Sequence, residues 1–394
     1  MRGWRLWRKA ETGIPMEKLK EKVWLSSPTM HGEEQKFVQE AFDTNWVAPL
    51  GKNVDELEKE VAAYTGAGYG AALTSGTAAL HLALKLAGIK SGDVVLCSDL
   101  TFAATVNPVS YENGIPVFVD SEGETWNMDP RVLKRALQKY GKRVKAVIAA
   151  NLYGTPGKLD KIQGLCQEYG VTLIEDAAES LSATYKGKQT GTFGKYNCIS
   201  FNGNKIITTS GGGMLLSQDR EAVEKARFWA TQARDKAPWY QHSEIGYNYR
   251  MSNIVAGIGR GQMLHLEEHR RRKTEIYMRY KRGLEGFPVQ MNPYLTCSEP
   301  NFWLSCITLE PAVMESGKVT PEKIRKALEE KNVESRPIWK PMHLQPVYAE
   351  RDFISLEGKD VGKDIFQRGL CLPSDIKMET AVQDAVMEII KGCF

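Results

Sequence analysis

Val144-Lys145-Ala146-Val147-Ile148-Ala149, a helical stretch from Leu159 to Tyr169, and Val171-Thr172-Leu173-Ile174 follow one another along this chain. Both apolar runs have the length of strands buried on two faces, and the segment between them can form the crossover helix that parallel strands require. This β-α-β unit recurs on both sides. Upstream lie the apolar runs Val94–Cys97 and Pro116–Val119 with a helical stretch at Pro130–Lys139, and downstream lies Met214-Leu215-Leu216. Earlier still, Asp55–Ala62 has amphipathic helical spacing, and Thr77–Leu86 reads as a more buried helix stopped by Gly88. The alternation predicts an α/β domain with a mainly parallel sheet between helices. Such sheets bind ligands in the crevice at the carboxyl ends of their strands, so the loops just after the strands are where chemistry is expected.

Beyond Asn253 the character changes. A long polar helical pattern from Ile254 to Leu284 predicts a connecting helix, with His269-Arg270-Arg271-Arg272-Lys273 as its solvated face. Short strands around Trp303–Leu309 and helices at Pro321–Lys331 and Thr380–Lys391 predict a smaller C-terminal α+β domain. The expected division is an N-terminal arm over 1–20, a large domain over 21–265 and a small domain over 266–394.

Bulk properties agree with two domains, since 394 residues exceed what one small core organises. A net charge of +4 gives no global reason to expect nucleic acid. The seven cysteines are scattered singly with no CxxC pair, which predicts reduced thiols in a cytoplasmic protein and no metal site. No apolar run reaches the roughly 18 residues of a membrane span. The first residues alternate Arg2, Arg5, Arg8 and Lys9 with Trp4, Leu6 and Trp7 before Gly13-Ile14-Pro15. A basic, aromatic arm of this kind could touch a membrane surface or RNA. The plainer expectation is a disordered segment or a misassigned start, with Met16 as the true beginning.

The chemistry concentrates in Ser200-Phe201-Asn202-Gly203-Asn204-Lys205, followed by Ile206–Ser210 and Gly211-Gly212-Gly213. One lysine between a hydroxyl-rich turn and a flexible backbone suits a nucleophile. Lysine amines form Schiff bases with carbonyl compounds, pyridoxal phosphate (PLP) among them, and such a site needs anchors for phosphate, ring and ring nitrogen. Thr74-Ser75-Gly76-Thr77 opens a helix whose free N–H groups can take a phosphate, or Ser75 and Thr77 simply cap it. Asp176, at the end of Ile174-Glu175-Asp176-Ala177-Ala178-Glu179, can keep a pyridine nitrogen protonated, or cap a helix. Phe102 is a flat partner for a ring or a core residue. Ser200 can add a hydroxyl to a phosphate or serve a turn. The loop Glu244–Asn253 is dense in side-chain donors or a capping loop. Arg336-Pro337-Ile338-Trp339-Lys340-Pro341-Met342-His343 suits a pyrophosphate and a flat base, or is a rigid surface loop.

Taken together, these residues resemble the DegT/DnrJ/EryC1/StrS family of sugar aminotransferases, fold-type I PLP enzymes, from about Leu25 to the C-terminus. Asn45–Gly51, Glu124–Pro130, Ser200–Gly213 and Arg336–Pro346 narrow the match to the branch that aminates C4 of a UDP-4-keto-6-deoxy-N-acetylhexosamine, as in N-acetylbacillosamine synthesis. The resemblance implies that Lys205 binds PLP covalently and shuttles the proton. It implies that Asp176 pairs with the pyridinium nitrogen, Phe102 stacks on the ring, and Gly76, Thr77 and Ser200 hold the phosphate. Asn248 would reach the phosphate of the neighbouring subunit in a homodimer, and Trp46, Trp339, Lys340 and His343 would face the UDP-sugar. L-glutamate would be the amino donor. Glu179 stands near the cofactor where many members carry Gln or His. It must be protonated, turned toward Lys205 or the substrate amine, or paired with a cation. Three rivals remain: a dehydratase of the family, which would replace Lys205 with histidine; an aminotransferase for a cyclitol, keto acid or other keto sugar; and a non-catalytic regulator on this fold.

Overall fold

The computed structural model describes residues 18–394. The basic arm before residue 18, with Met16, lies outside the described residues. Eight strands form the main sheet in the order Tyr69–Leu73, Gly213–Ser217, Tyr196–Ser200, Thr172–Asp176, Val144–Ala150, Val94–Ser98, Ile115–Val119, Phe353–Ile354. Only Gly213–Ser217 runs against its neighbours. The other neighbouring pairs are parallel, as the alternating pattern predicts.

Both faces of the sheet are covered, which is why its strands read as unbroken apolar runs rather than alternating ones. Val95 and Cys97 point into a core shared with Leu80, Leu84 and Val109. Val94 and Leu96 point the other way, toward Leu133, Leu137 and Ile162 of the helices Pro130–Tyr140 and Leu159–Tyr169. The layers are helix, sheet, helix.

The second body is a four-stranded antiparallel sheet in the order Val289–Met291, Ser305–Leu309, Gly369–Leu372, Arg336–Pro337. Ile276, Ile307, Ile324, Leu370 and Val386 fill its core under the helices Leu266–Gly283, Pro321–Glu330 and Thr380–Lys391. Two segments tie the bodies together. The Val23 N–H donates to the Asn332 carbonyl at 3.0 Å, and the Glu334 N–H returns to the Val23 carbonyl at 2.8 Å. Phe353–Ile354, which lies between Arg336–Pro337 and Gly369–Leu372 in the chain, pairs with Phe118–Val119 at the edge of the eight-stranded sheet.

The single helix expected over Ile254–Leu284 is two, Asn253–Met263 and Leu266–Gly283, parted at Leu264 and His265, whose N–H groups make short-turn bonds to Gly261 and Gln262. The expected solvated face also fails at its ends: His269 and Lys273 are buried. They stand four residues apart, hence on one helix face, and that face packs against the loop after Ser200. No described helix is long and apolar enough to cross a membrane.

Candidate active site

The carboxyl ends of Tyr69–Leu73, Val144–Ala150, Thr172–Asp176 and Tyr196–Ser200 open onto one cavity of about 360 Å3. Gly76, Thr77, Phe102, Asp176, Glu179, Ser200, Lys205 and Trp339 all line it. The antiparallel strand enters from its amino end, so Gly211 and Gly212 reach the same rim.

At the first strand end the chain turns at Ser75, whose hydroxyl accepts the Ala78 N–H at 3.0 Å and caps the helix Gly76–Leu86. The helix's first N–H groups have no preceding turn to bond, and with the positive dipole end they form a seat for an anion. The seat exists because two backbones nearly touch. A Cβ on Gly213 would lie 2.3 Å from the Ser75 carbonyl carbon and 2.4 Å from the Gly76 nitrogen, so no side chain fits there.

Asp176 forms the buried floor. Its Oδ2 accepts the Thr105 hydroxyl at 2.7 Å and its Oδ1 accepts the Ala178 N–H at 3.1 Å. Thr105 must donate to the carboxylate, so Thr101, 2.7 Å away, donates to Thr105. Burial pushes the Asp176 carboxyl up while Thr105 pulls it back. Two of about four lone-pair positions are filled, which leaves this carboxylate able to take one more donor from the cavity.

Lys205 crosses the opposite wall. Its Nζ lies 4.0 Å over the Trp303 ring and 3.6 Å from Glu179 Oε1. Among the alternatives open in the sequence, Glu179 is turned toward Lys205. Its other oxygen accepts the Tyr153 N–H at 2.7 Å. Burial pushes the Glu179 carboxyl up, and the Lys205 charge opposes that. Tyr153 sits at φ 53, ψ 23, the left-handed region that non-glycine residues avoid. It is held there at both ends: the N–H binds Glu179, and the hydroxyl accepts the Trp339 N–H at 2.8 Å. The Phe102 and Trp339 rings meet at 5.3 Å over the mouth, with Phe102 half-exposed.

Other predicted residues stand elsewhere. Asn248 and Trp46 are exposed and line no part of this cavity. Lys340 is exposed too. His343 is engaged away from the cavity, with Nδ1 2.8 Å from Asp99, Nε2 3.3 Å from Asp360 and its ring stacked on Phe353 at 4.0 Å. Sequence reading missed Thr101, Thr105, Asn151, Tyr153 and Trp303. The first two flank Phe102 in Thr101-Phe102-Ala103-Ala104-Thr105, where an i, i+4 hydroxyl pair is the available signal.

Among the described residues, His31, His265 and Glu268 bring potential ligand atoms within 4.8 Å of one another. The His31 and His265 rings are stacked at 3.7 Å and 6°, and the two His265 nitrogens face Glu33 and Glu268. In-plane lone pairs of stacked rings do not converge on one ion.

The donor set of the large cavity fits PLP: an anion seat, a floor carboxylate for a pyridinium, a flat ring at the mouth and a lysine. Known proteins agree. A profile of the DegT/DnrJ/EryC1/StrS aminotransferase family matches residues 28–391. EpsN of Bacillus subtilis is 50% identical over 378 residues, spanning 95% of this chain and 96% of that one. GDP-perosamine synthase of Escherichia coli O157:H7 is 34% identical over 88% of this chain and 92% of its own. The crystal structure of a DegT DnrJ EryC1 StrS aminotransferase from Brucella abortus superposes with a TM-score of 0.83 at 26% identity, over 91% of this chain and 95% of that one.

Proposed function

The chain belongs to the DegT/DnrJ/EryC1/StrS aminotransferase family and is a PLP-dependent sugar aminotransferase, and from that premise we propose that it transfers the amino group of L-glutamate to C4 of a UDP-4-keto-6-deoxy-N-acetylhexosamine, giving a UDP-4-amino-4,6-dideoxy sugar. The observation that carries the reading is the convergence of Lys205, Asp176, Glu179 and the Gly76–Thr77 helix start on one cavity.

PLP, when bound, supplies the carbonyl that exchanges the amino group and the electron sink for the proton transfer. The protein does the rest. The helix start at Gly76 and Thr77, with the Ser200 hydroxyl, would hold the phosphate. Asp176, steadied by Thr105, would pair with a protonated ring nitrogen of PLP. Lys205 is the group that moves protons, and it works as base and acid in turn. The Trp303 face and Glu179 hold its amine within the cavity. Phe102 and Trp339 cover the mouth and exclude water.

Asn248 and Trp46, exposed on the single chain, are read as completing the site of a neighbouring subunit, which makes the active unit a homodimer. The loop carrying Trp339, Lys340 and His343 is read as facing the nucleotide. For His343 this needs Asp99 and Asp360 to release the ring, so Trp339 and Lys340 are the stronger assignments.

The test is the absorption spectrum of the PLP-loaded protein, followed through addition of L-glutamate and then of the UDP-4-keto sugar. Bleaching of the lysine-bound PLP band by glutamate and its return with the sugar is expected. Bleaching without return, joined to recovery with a GDP-4-keto sugar, would replace the nucleotide; the 34% identical GDP-perosamine synthase gives that arm its reason. A band that glutamate leaves unchanged would overturn the donor.

A further inference from the structure

Lys273 is a fully enclosed lysine in a protein that needs another lysine as its nucleophile. Its Nζ meets three acceptors: the Ser26 hydroxyl at 3.0 Å, the Trp303 carbonyl at 3.0 Å and the Ser374 carbonyl at 2.6 Å. The carbonyls only accept. Ser26 spends its own proton on the Asn204 carbonyl, 3.0 Å away, so its oxygen must also accept from Lys273. Three acceptors match the three N–H groups of an ammonium and exceed the two of a neutral amine. Burial drives this ammonium down to about 7, with Asp375 opposing it, and hydrogen bonds to three acceptors favour the charged form.

What these bonds hold is the peptide leading into Lys205. The Asn204 carbonyl accepts from Ser26 and from Trp303 Nε1, the latter at 2.6 Å. Lys273 therefore grips both donors of that carbonyl, Ser26 by its oxygen and Trp303 by its backbone. The same Trp303 ring lies under the Lys205 ammonium. One turn earlier on the helix, His269 Nδ1 donates to the Ile206 carbonyl at 2.7 Å, just past the nucleophile. Behind Lys205 only about 10 Å3 is left between Ser26, His269 and Lys273, room for about one water. The loop cannot recede.

We propose that Lys273 is a positioning residue for Lys205: through Ser26 and Trp303 it fixes the Asn204–Lys205 peptide, and through Ser374 it makes that position depend on docking of the small domain. The proposal rests on the reading of Lys205 as the residue that binds PLP.

The test uses the full chain stripped of PLP, in the wild type and in Lys273→Met, Ser26→Ala and Ser26→Thr. Two rates are read: capture of PLP by Lys205, and acetylation of each lysine by a trace of acetic anhydride, resolved by mass spectrometry. In Lys273→Met, PLP capture should slow about tenfold while acetylation of Lys205 rises several-fold, because a loosened loop exposes the amine yet misaligns it. Ser26→Ala should slow capture about threefold, as expected for one lost hydrogen bond, and Ser26→Thr should restore it. If Lys273→Met does not fold, the serine pair decides. Wild-type capture rates in Ser26→Ala, or equal losses in the alanine and threonine variants, would overturn the positioning role. A wild type that forms no covalent PLP adduct at Lys205 would instead remove the underlying reading.

Discussion

Replacing Gly213 with alanine tests the anion seat without touching any polar group. The new methyl would sit 2.3 Å from the Ser75 carbonyl carbon, 2.4 Å from the Gly76 nitrogen and 2.5 Å from the Ser75 oxygen. Ordinary carbon contacts begin near 3.5 Å, so something must move by roughly 1 Å. All three neighbours are backbone, so no rotamer relieves the clash. Gly213 is itself pinned on both sides, paired with Leu73 and with Ser200. The Ser75–Gly76 turn is therefore the part that yields. Overpacking of this kind costs about 1–3 kcal/mol of stability. A seat displaced by ~1 Å also loses at least one charge-assisted hydrogen bond to phosphate, worth about 1.5–3 kcal/mol, or roughly 10- to 100-fold in affinity. The assay is titration of PLP-free protein with PLP, followed by the emission of Trp303 and Trp339 in the cavity wall. Pyridoxal, which lacks the phosphate, is titrated in parallel. Gly213→Ala should weaken PLP binding by that factor and leave pyridoxal binding nearly unchanged. Gly211→Ala, whose methyl meets nothing within 4 Å, should match the wild type with both ligands. Wild-type PLP affinity in Gly213→Ala, or equal losses for PLP and pyridoxal, would refute the steric argument.

Three more outcomes are expected. Phe102 is half-exposed, so Phe102→Ala should change stability by less than about 0.5 kcal/mol while weakening PLP binding about fivefold through lost stacking; calorimetric titration separates the two. Glu179 has its carboxyl raised by burial, so between its unfolded and folded values the native state holds more protons than the unfolded one, and stability falls as pH rises through that window. Glu179→Gln removes this effect, and its melting temperature relative to the wild type should climb from about pH 4.5 upward and then level; a constant difference would contradict the assignment. Glu58 is buried and takes Arg250, Arg227 and the Ala72 N–H. Glu58→Ala leaves Arg250 enclosed without a counter-charge and should cost about 3–5 kcal/mol in urea unfolding.

The sequence is most legible where a signal is local. Leu159–Tyr169 and Thr380–Lys391 form helices with the bounds their patterns indicate; Asp176 ends a strand and Gly76 opens a helix that periodicity alone locates, and Lys205 lies in the loop just after the strand Tyr196–Ser200. Residues that meet only through the fold are less readable. Trp303 reaches the site across 99 residues, through its bond to Asn204, and nothing in its surroundings marks it. Lys273 shows why a charge run misleads. Arg270, Arg271 and Arg272 are exposed or half-exposed and pair with Glu267 or Glu275, as a solvated face should. The flanking His269 and Lys273 share the opposite face, and their partners come from Ile206, Ser26 and Ser374, which no helical pattern can announce. The strained Tyr153 is invisible for the same reason, since its bonds to Glu179 and Trp339 hold a conformation that its own sequence disfavours.

The strand order also sets a timetable for synthesis. Tyr69–Leu73 has one neighbour in the sheet, Gly213–Ser217, and Leu73 pairs with Gly213 about 140 residues downstream. At roughly 5–20 residues per second, a ribosome needs on the order of ten seconds to deliver that partner. During this time the apolar run Ala71-Ala72-Leu73 has no sheet to join, and the turn at Ser75 has no Gly213 to close against. The anion seat thus cannot close before Gly213–Ser217 has been delivered. Nascent chains arrested before residue 213 should be cut by protease near Ala71, and chains arrested well past residue 217 should resist.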